Sequence, residues 1–124
     1  MLGVTGLVAC SPSLGTAPNI TPFTFSVSSY PSLASVGGLA VVDNGSQTGD
    51  PIAVARIDAN TFIALSLICP HRGFTVQISG SGFYCAGHGA MFAANGSWTG
   101  GQPTSNLSRY TVVYDGVAGT LKIS

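Results

Sequence analysis

The side chains with the most chemistry to offer are two cysteines and two histidines that fall into mixed pairs, Cys69-Pro-His71 and Cys85-Ala-Gly-His88, with 13 residues between them. They include both histidines of the chain and two of its three cysteines. Thiolates and imidazoles suit zinc and iron–sulfur clusters, whereas magnesium and calcium call for carboxylates. This region of the sequence has no carboxylates. A structural zinc site of two Cys and two His commonly has a Cys-x-x-Cys pair followed by a His-x-x-x-His pair. Here each pair holds one ligand of each kind, an order that favours a two-iron cluster with thiolates on one iron and imidazoles on the other. A structural zinc-binding domain, or a binding domain with no redox role, is the alternative.

The elements that must bring the two pairs together read as short strands. Phe23 to Val27 alternates apolar and polar residues, and Leu39 to Val42 leads into a turn signal at Asp43-Asn44-Gly45 before a further strand at Ile52 to Ile57. The run Thr61 to Ile68 follows, and its consecutive Phe62, Ile63, Ala64 and Leu65 predict burial on both faces. Arg109 to Tyr114 and Thr120 to Ile123 alternate again and are joined through Asp115-Gly116 as a closing hairpin. Between these flanks, over about residues 67–104, lies a glycine-rich insert of loops and small hairpins, with each ligand pair at the end of a strand. Two such hairpin tips can converge on one centre. Phe83, Tyr84, Phe92 and Trp98 are expected to pack this insert and exclude water.

These residues resemble the Rieske family, whose motif is Cys-x-His followed at a distance by Cys-x-x-His. Cys69-Pro-His-Arg-Gly73 looks like the family's first cluster loop and His88-Gly-Ala-Met-Phe92 like the start of its second. Gly100-Gly-Gln-Pro103, followed by Leu107, resembles the proline loop over the cluster. The resemblance spans roughly Phe23 to Ile123. It implies an all-β fold of small antiparallel sheets, as a sandwich or open barrel, with a loop-rich cluster-binding subdomain. It also implies one [2Fe-2S] cluster per chain, with Cys69 and Cys85 on the inner iron and His71 and His88 on the outer iron near solvent. Gly73, Gly87 and Gly89 would bring backbone N–H groups close to sulfur, and Pro103 would stiffen the covering loop.

The role implied is that of a one-electron carrier or a small subunit of a larger oxidoreductase, not a catalyst on its own. The Rieske component of a multi-subunit oxygenase is the enzyme-linked alternative. Its two-His, one-carboxylate iron site would have to come from a partner, because this sequence has no third histidine. Two departures are informative. Respiratory-complex members carry an extra cysteine in each loop, joined as a disulfide, where Phe74 and Gly87 stand here. They also place a Ser and a Tyr after the second histidine, where Ala90 and Phe92 stand here. Fewer hydroxyl donors to sulfur predict a potential in the lower Rieske range, roughly −150 to +50 mV.

With 124 residues, of which 45% are apolar, the chain can bury a single core, expected over residues 23–124. Only 6% of residues are charged and four bases balance four acids, so nucleic acid is excluded as a partner. Residues 1–9 are apolar and end in Leu7-Val8-Ala9 before Cys10, which resembles a bacterial lipobox, so Cys10 is the expected lipidation site. Residues 10–22, with three prolines, read as a tether. The expected location is extracytoplasmic, lipid-anchored to a bacterial membrane, with a soluble cytoplasmic protein as the alternative. The expected partner is a redox protein: a cytochrome, a quinol oxidase or an oxidoreductase large subunit.

Overall fold

The computed structural model describes residues 20–42, 51–70, 74–87 and 89–124. The lipobox-like segment, most of the expected tether and the turn signal at Asp43-Asn44-Gly45 lie outside the described residues. Eleven strands are present among the described residues: β1 (Phe23–Ser26), β2 (Leu39–Val42), β3 (Ile52–Asp58), β4 (Thr61–Ser66), β5 (Gln77–Ser79), β6 (Gly82–Tyr84), β7 (Met91–Phe92), β8 (Trp98–Gly100), β9 (Arg109–Tyr110), β10 (Val112–Asp115) and β11 (Thr120–Ile123). They form three antiparallel sheets in the orders β9-β4-β3-β2, β10-β11-β1 and β5-β6-β7-β8. Two short 3-10 turns, Val27–Ser29 and Pro31–Ala34, are the helical elements described, and the fold is all-β as expected. No helix among the described residues is long and apolar enough to cross a membrane.

Strand β4 explains the layering. Alternate side chains leave a strand on opposite faces, and here both sets are apolar. Phe62 and Ala64 enter a first core with Ile52 and Val54 of β3, Ala40 and Val42 of β2, and Leu121 and Ile123 of β11. Leu65 enters a second core, where composition suggested a single one, with Ala53, Leu67, Phe83, Phe92 and Leu107. The central sheet is therefore covered on one face by the β10-β11-β1 sheet and on the other by the β5-β6-β7-β8 sheet. Complete burial of a leucine such as Leu65 stabilises by about 1.5–3 kcal/mol. Ala53, the β3 residue facing the second core, is small enough to let the third sheet approach.

Polar groups close the first core at its rim. The Arg56 guanidinium donates to the carbonyls of Leu33 at 3.0 Å and Ala59 at 2.7 Å and lies 5.0 Å from the centre of the Phe62 ring. It thereby ties the second 3-10 turn, whose Leu33 is fully buried, to the β3–β4 hairpin. In the turn of that hairpin, Asp58 accepts a bond from the Asn60 backbone N–H at 3.0 Å, and this bond, with the Thr61 side chain, holds its carboxyl below the usual range.

The expected single strand from Arg109 to Tyr114 is divided at Thr111. Arg109 and Tyr110 pair with Leu65 and Ala64 of β4, whereas Val112 to Asp115 pair with β11. Thr111 exchanges both backbone bonds with Ser124, at 2.8 and 3.0 Å. The chain thus passes from one sheet to the next at this residue. Alternation continues through the crossing, because both sheets face the same core.

Candidate metal centre

The two cysteine loops have the same build. In the first, Val76 donates to the Leu67 carbonyl at 2.6 Å, Ile68 and Thr75 form a bridge, and the Cys69 N–H reaches the Phe74 carbonyl at 2.7 Å. In the second, the β6–β7 ladder pairs Phe83 with Phe92 and Tyr84 with Met91, and the Cys85 N–H reaches the Ala90 carbonyl at 2.8 Å. Each cysteine therefore closes a tight loop onto the carbonyl five residues ahead. The second is drawn in further by the Gly89 N–H, which donates to the Cys85 carbonyl at 2.7 Å with Gly89 at φ +78°. A side chain at that φ would be strained, so glycine is what permits the closure.

Both cysteines are buried, Cys69 at 1% and Cys85 at 0% exposure, and both belong to the second core. No disulfide joins them. Buried thiols alone are ordinary small apolar groups. What points to a ligand is that the two loops carrying them are brought together, with the Phe74 ring against the Gly87 backbone. His71, Gly73 and His88, three of the expected site residues, lie outside the described residues, as does Cys10. In sequence, however, His71 falls inside the first closed loop and His88 inside the second. A set of two thiols and two imidazoles with no charged side chain from 74 to 108 fits a soft centre and excludes a hard cation.

A third loop presses on the second. A Cβ on Gly101, which has φ +76°, would collide with the Gly89 carbonyl. The Trp98 indole N–H donates to the Gln102 carbonyl at 3.0 Å, its backbone N–H is held by the Asn106 side chain at 2.9 Å, and Leu107 is anchored in the second core. Pro103 is exposed, so the close approach belongs to Gly101. The expectation for the aromatic residues divides. Phe83 and Phe92 are each 2% exposed and pack as expected, but Tyr84 and Trp98 are about two-fifths exposed, at 39% and 38%. Trp98 acts here through its N–H. The Gly101–Gly89 and Phe74–Gly87 contacts are the parts that sequence reading missed, since each joins residues more than ten positions apart, and the Trp98 N–H bond was missed because the residue was expected only to pack.

Comparison with known proteins agrees with this geometry. The family model of the Rieske [2Fe-2S] domain matches residues 36–111. The plasma membrane Rieske protein PetC3 of the cyanobacterium Synechocystis PCC 6803 is similar at 25% identity and a TM-score of 0.55, over 64% of this chain and 82% of that one. The quaternary ammonium Rieske monooxygenase CntA, solved with an inhibitor, is similar in fold at 20% identity and a TM-score of 0.60. That match covers 76% of this chain but only 29% of the monooxygenase. No curated protein matches the chain.

Gly80 and Gly101 separate backbone conformation from loop packing. Both have positive φ, but a Cβ on Gly80 would meet nothing within 4 Å. Gly80→Ala is expected to cost about 1–2 kcal/mol for the left-handed conformation. Gly101→Ala should cost clearly more in thermal unfolding, because the Gly89 carbonyl must also move. Equal losses would mean that the third loop does not bear on the second.

Proposed function

The chain belongs to the Rieske [2Fe-2S] domain family, and from that premise we propose that it carries single electrons on a cluster held by Cys69, His71, Cys85 and His88. Membership implies the [2Fe-2S] cluster and a Rieske-type electron-transfer role; the ligand assignment is the proposal. The observation that carries it is the pair of matching closed loops, each opening on a buried cysteine of the same core and each containing a histidine in its sequence. When bound, the cluster stores one electron, and two neutral imidazoles in place of two thiolates leave it less negative and easier to reduce.

The chain's own residues set the surroundings. Val76, Phe83, Phe92 and Leu107 keep water from the two thiols. Ala90 and Phe92, both buried, offer no hydroxyl to sulfur. Apart from Arg72 in the first loop, no charged side chain stands near the pairs in sequence, so stabilisation of negative charge falls mainly to backbone N–H groups. These features support a carrier of lower potential. The partner would be a cytochrome, a quinol oxidase or an oxidoreductase large subunit, and any catalysis would belong to that partner.

The lipobox-like sequence before Cys10 supports an extracytoplasmic, membrane-anchored setting, in which residues 11–22 hold the domain within reach of membrane partners.

Two measurements test these readings. Iron, sulfide and zinc analysis followed by a redox titration should give two irons, two sulfides and a midpoint of roughly −150 to +50 mV. Stoichiometric zinc would remove the electron-transfer role, and a midpoint near the upper end of the Rieske range would overturn the account of the missing hydroxyls. In a bacterial host, a labelled fatty acid should be incorporated into the chain and lost in Cys10→Ser, and an unlabelled native chain would refute the anchor.

A further inference from the structure

Gly87 has no backbone reason to be glycine, since it is not among the positive-φ residues. The reason is space. A Cβ built there would stand 2.7 Å from both Cγ and Cδ2 of Phe74, closer than real Cβ atoms come to their neighbours, and 3.1 Å from Cδ1. The ring of Phe74 therefore lies directly on the Gly87 backbone. Phe74 is held at the base of the first loop, where its carbonyl accepts the Cys69 N–H, while Gly87 lies within the second loop between Cys85 and residue 88. Phe74 as a residue is 47% exposed, as one is when it covers a neighbour on one side and is open on the other.

We propose that Phe74 is a positioning residue, which by seating its ring on Gly87 locks the two cysteine loops together and shields the buried thiols. A side chain too long for its pocket would tuck inward or swing away. This one instead spans two loops, and the partner position has been left without a side chain to receive it. The contact is independent of any metal, but its effect on a bound cluster rests on the function proposed above.

The geometry also specifies a covalent substitute. The Phe74 Cβ is not among the three atoms nearest the constructed Gly87 Cβ, so the two Cβ atoms are at least 3.1 Å apart. One C–C bond of ~1.5 Å beyond Cγ limits them to about 4.2 Å, which overlaps the range bridged by disulfides. Oxidation of the paired thiols by dissolved oxygen or added disulfide would form one S–S bond, with two electrons and two protons passing to the oxidant.

The test compares the native chain with Phe74→Ala, Gly87→Ala, the double variant of these two, and Phe74→Cys/Gly87→Cys. The readouts are the rate at which a chelator bleaches visible absorption, the midpoint potential, and thermal unfolding of the metal-free chain. Gly87→Ala should accelerate bleaching about tenfold in the native background but less than about twofold when Phe74 is already Ala, since residues in contact do not act additively. Phe74→Ala should raise the midpoint, because water admitted to the cluster favours the reduced form with its extra negative charge. The cysteine pair should oxidise to a disulfide and bring bleaching back towards the native rate. Independent, multiplying effects of the two alanine substitutions, an unchanged rate in Gly87→Ala, or cysteines that stay reduced under oxidant would each overturn the lock. If the native chain proves to hold no cluster, the same non-additivity is read from thermal unfolding, so the two proposals fail separately.

Discussion

Strand β4 must bury side chains on both faces, and the arrangement around it follows from that requirement. A strand with Phe62 and Ala64 on one side and Leu65 on the other needs a cover above and below. The flanking strands supply the first cover from distant parts of the chain, β1 and β10–β11. The second cover comes from the insert, whose short strands are too small to hold a core alone and gain one by resting on Ala53 and Leu65. The same cluster that attaches the insert contains Cys69 and Cys85, so docking the insert and burying the thiols are one event.

That coupling gives the chemistry its setting. A thiolate in an apolar interior is costly unless a metal or a positive group compensates it. The first loop carries one charged side chain, Arg72, and the sequence places none between residues 74 and 108, so one cation at most stands near two thiols. A metal centre is the compensation consistent with such a site, and two closed loops from separate hairpins are what a bridging cluster requires. Contacts between loops then take over the work of holding the site rigid: the Phe74 ring on Gly87 and Gly101 against the Gly89 carbonyl, with the Trp98 indole bracing the third loop internally on Gln102.

Much of this was legible in the sequence, for identifiable reasons. Thr120 to Ile123 is a strand over the residues where alternation placed it, because half-buried strands write their faces into a period of two, and Leu39 to Val42 is the strand expected ahead of the Asp43-Asn44-Gly45 signal. The uninterrupted apolar run of Phe62 to Leu65 foretold burial on both sides. Cys69 and Cys85, singled out in sequence by their neighbouring histidines, each prove to open a closed loop. What escaped was non-local. Thr111 looks like the middle of one strand because nothing in its neighbours records that the chain changes sheets there. Phe74 reads as a departure from a familiar pattern, and only its position over Gly87 reveals a use.

The mixed ligand set is the claim on which the account stands, and pulsed EPR of the reduced protein addresses it most directly. The account predicts a paramagnetic signal with strong couplings from two histidine nitrogens, both lost from the spectrum when His71 and His88 are replaced. A colourless, silent sample, or a cluster signal with no strong nitrogen coupling, would contradict it.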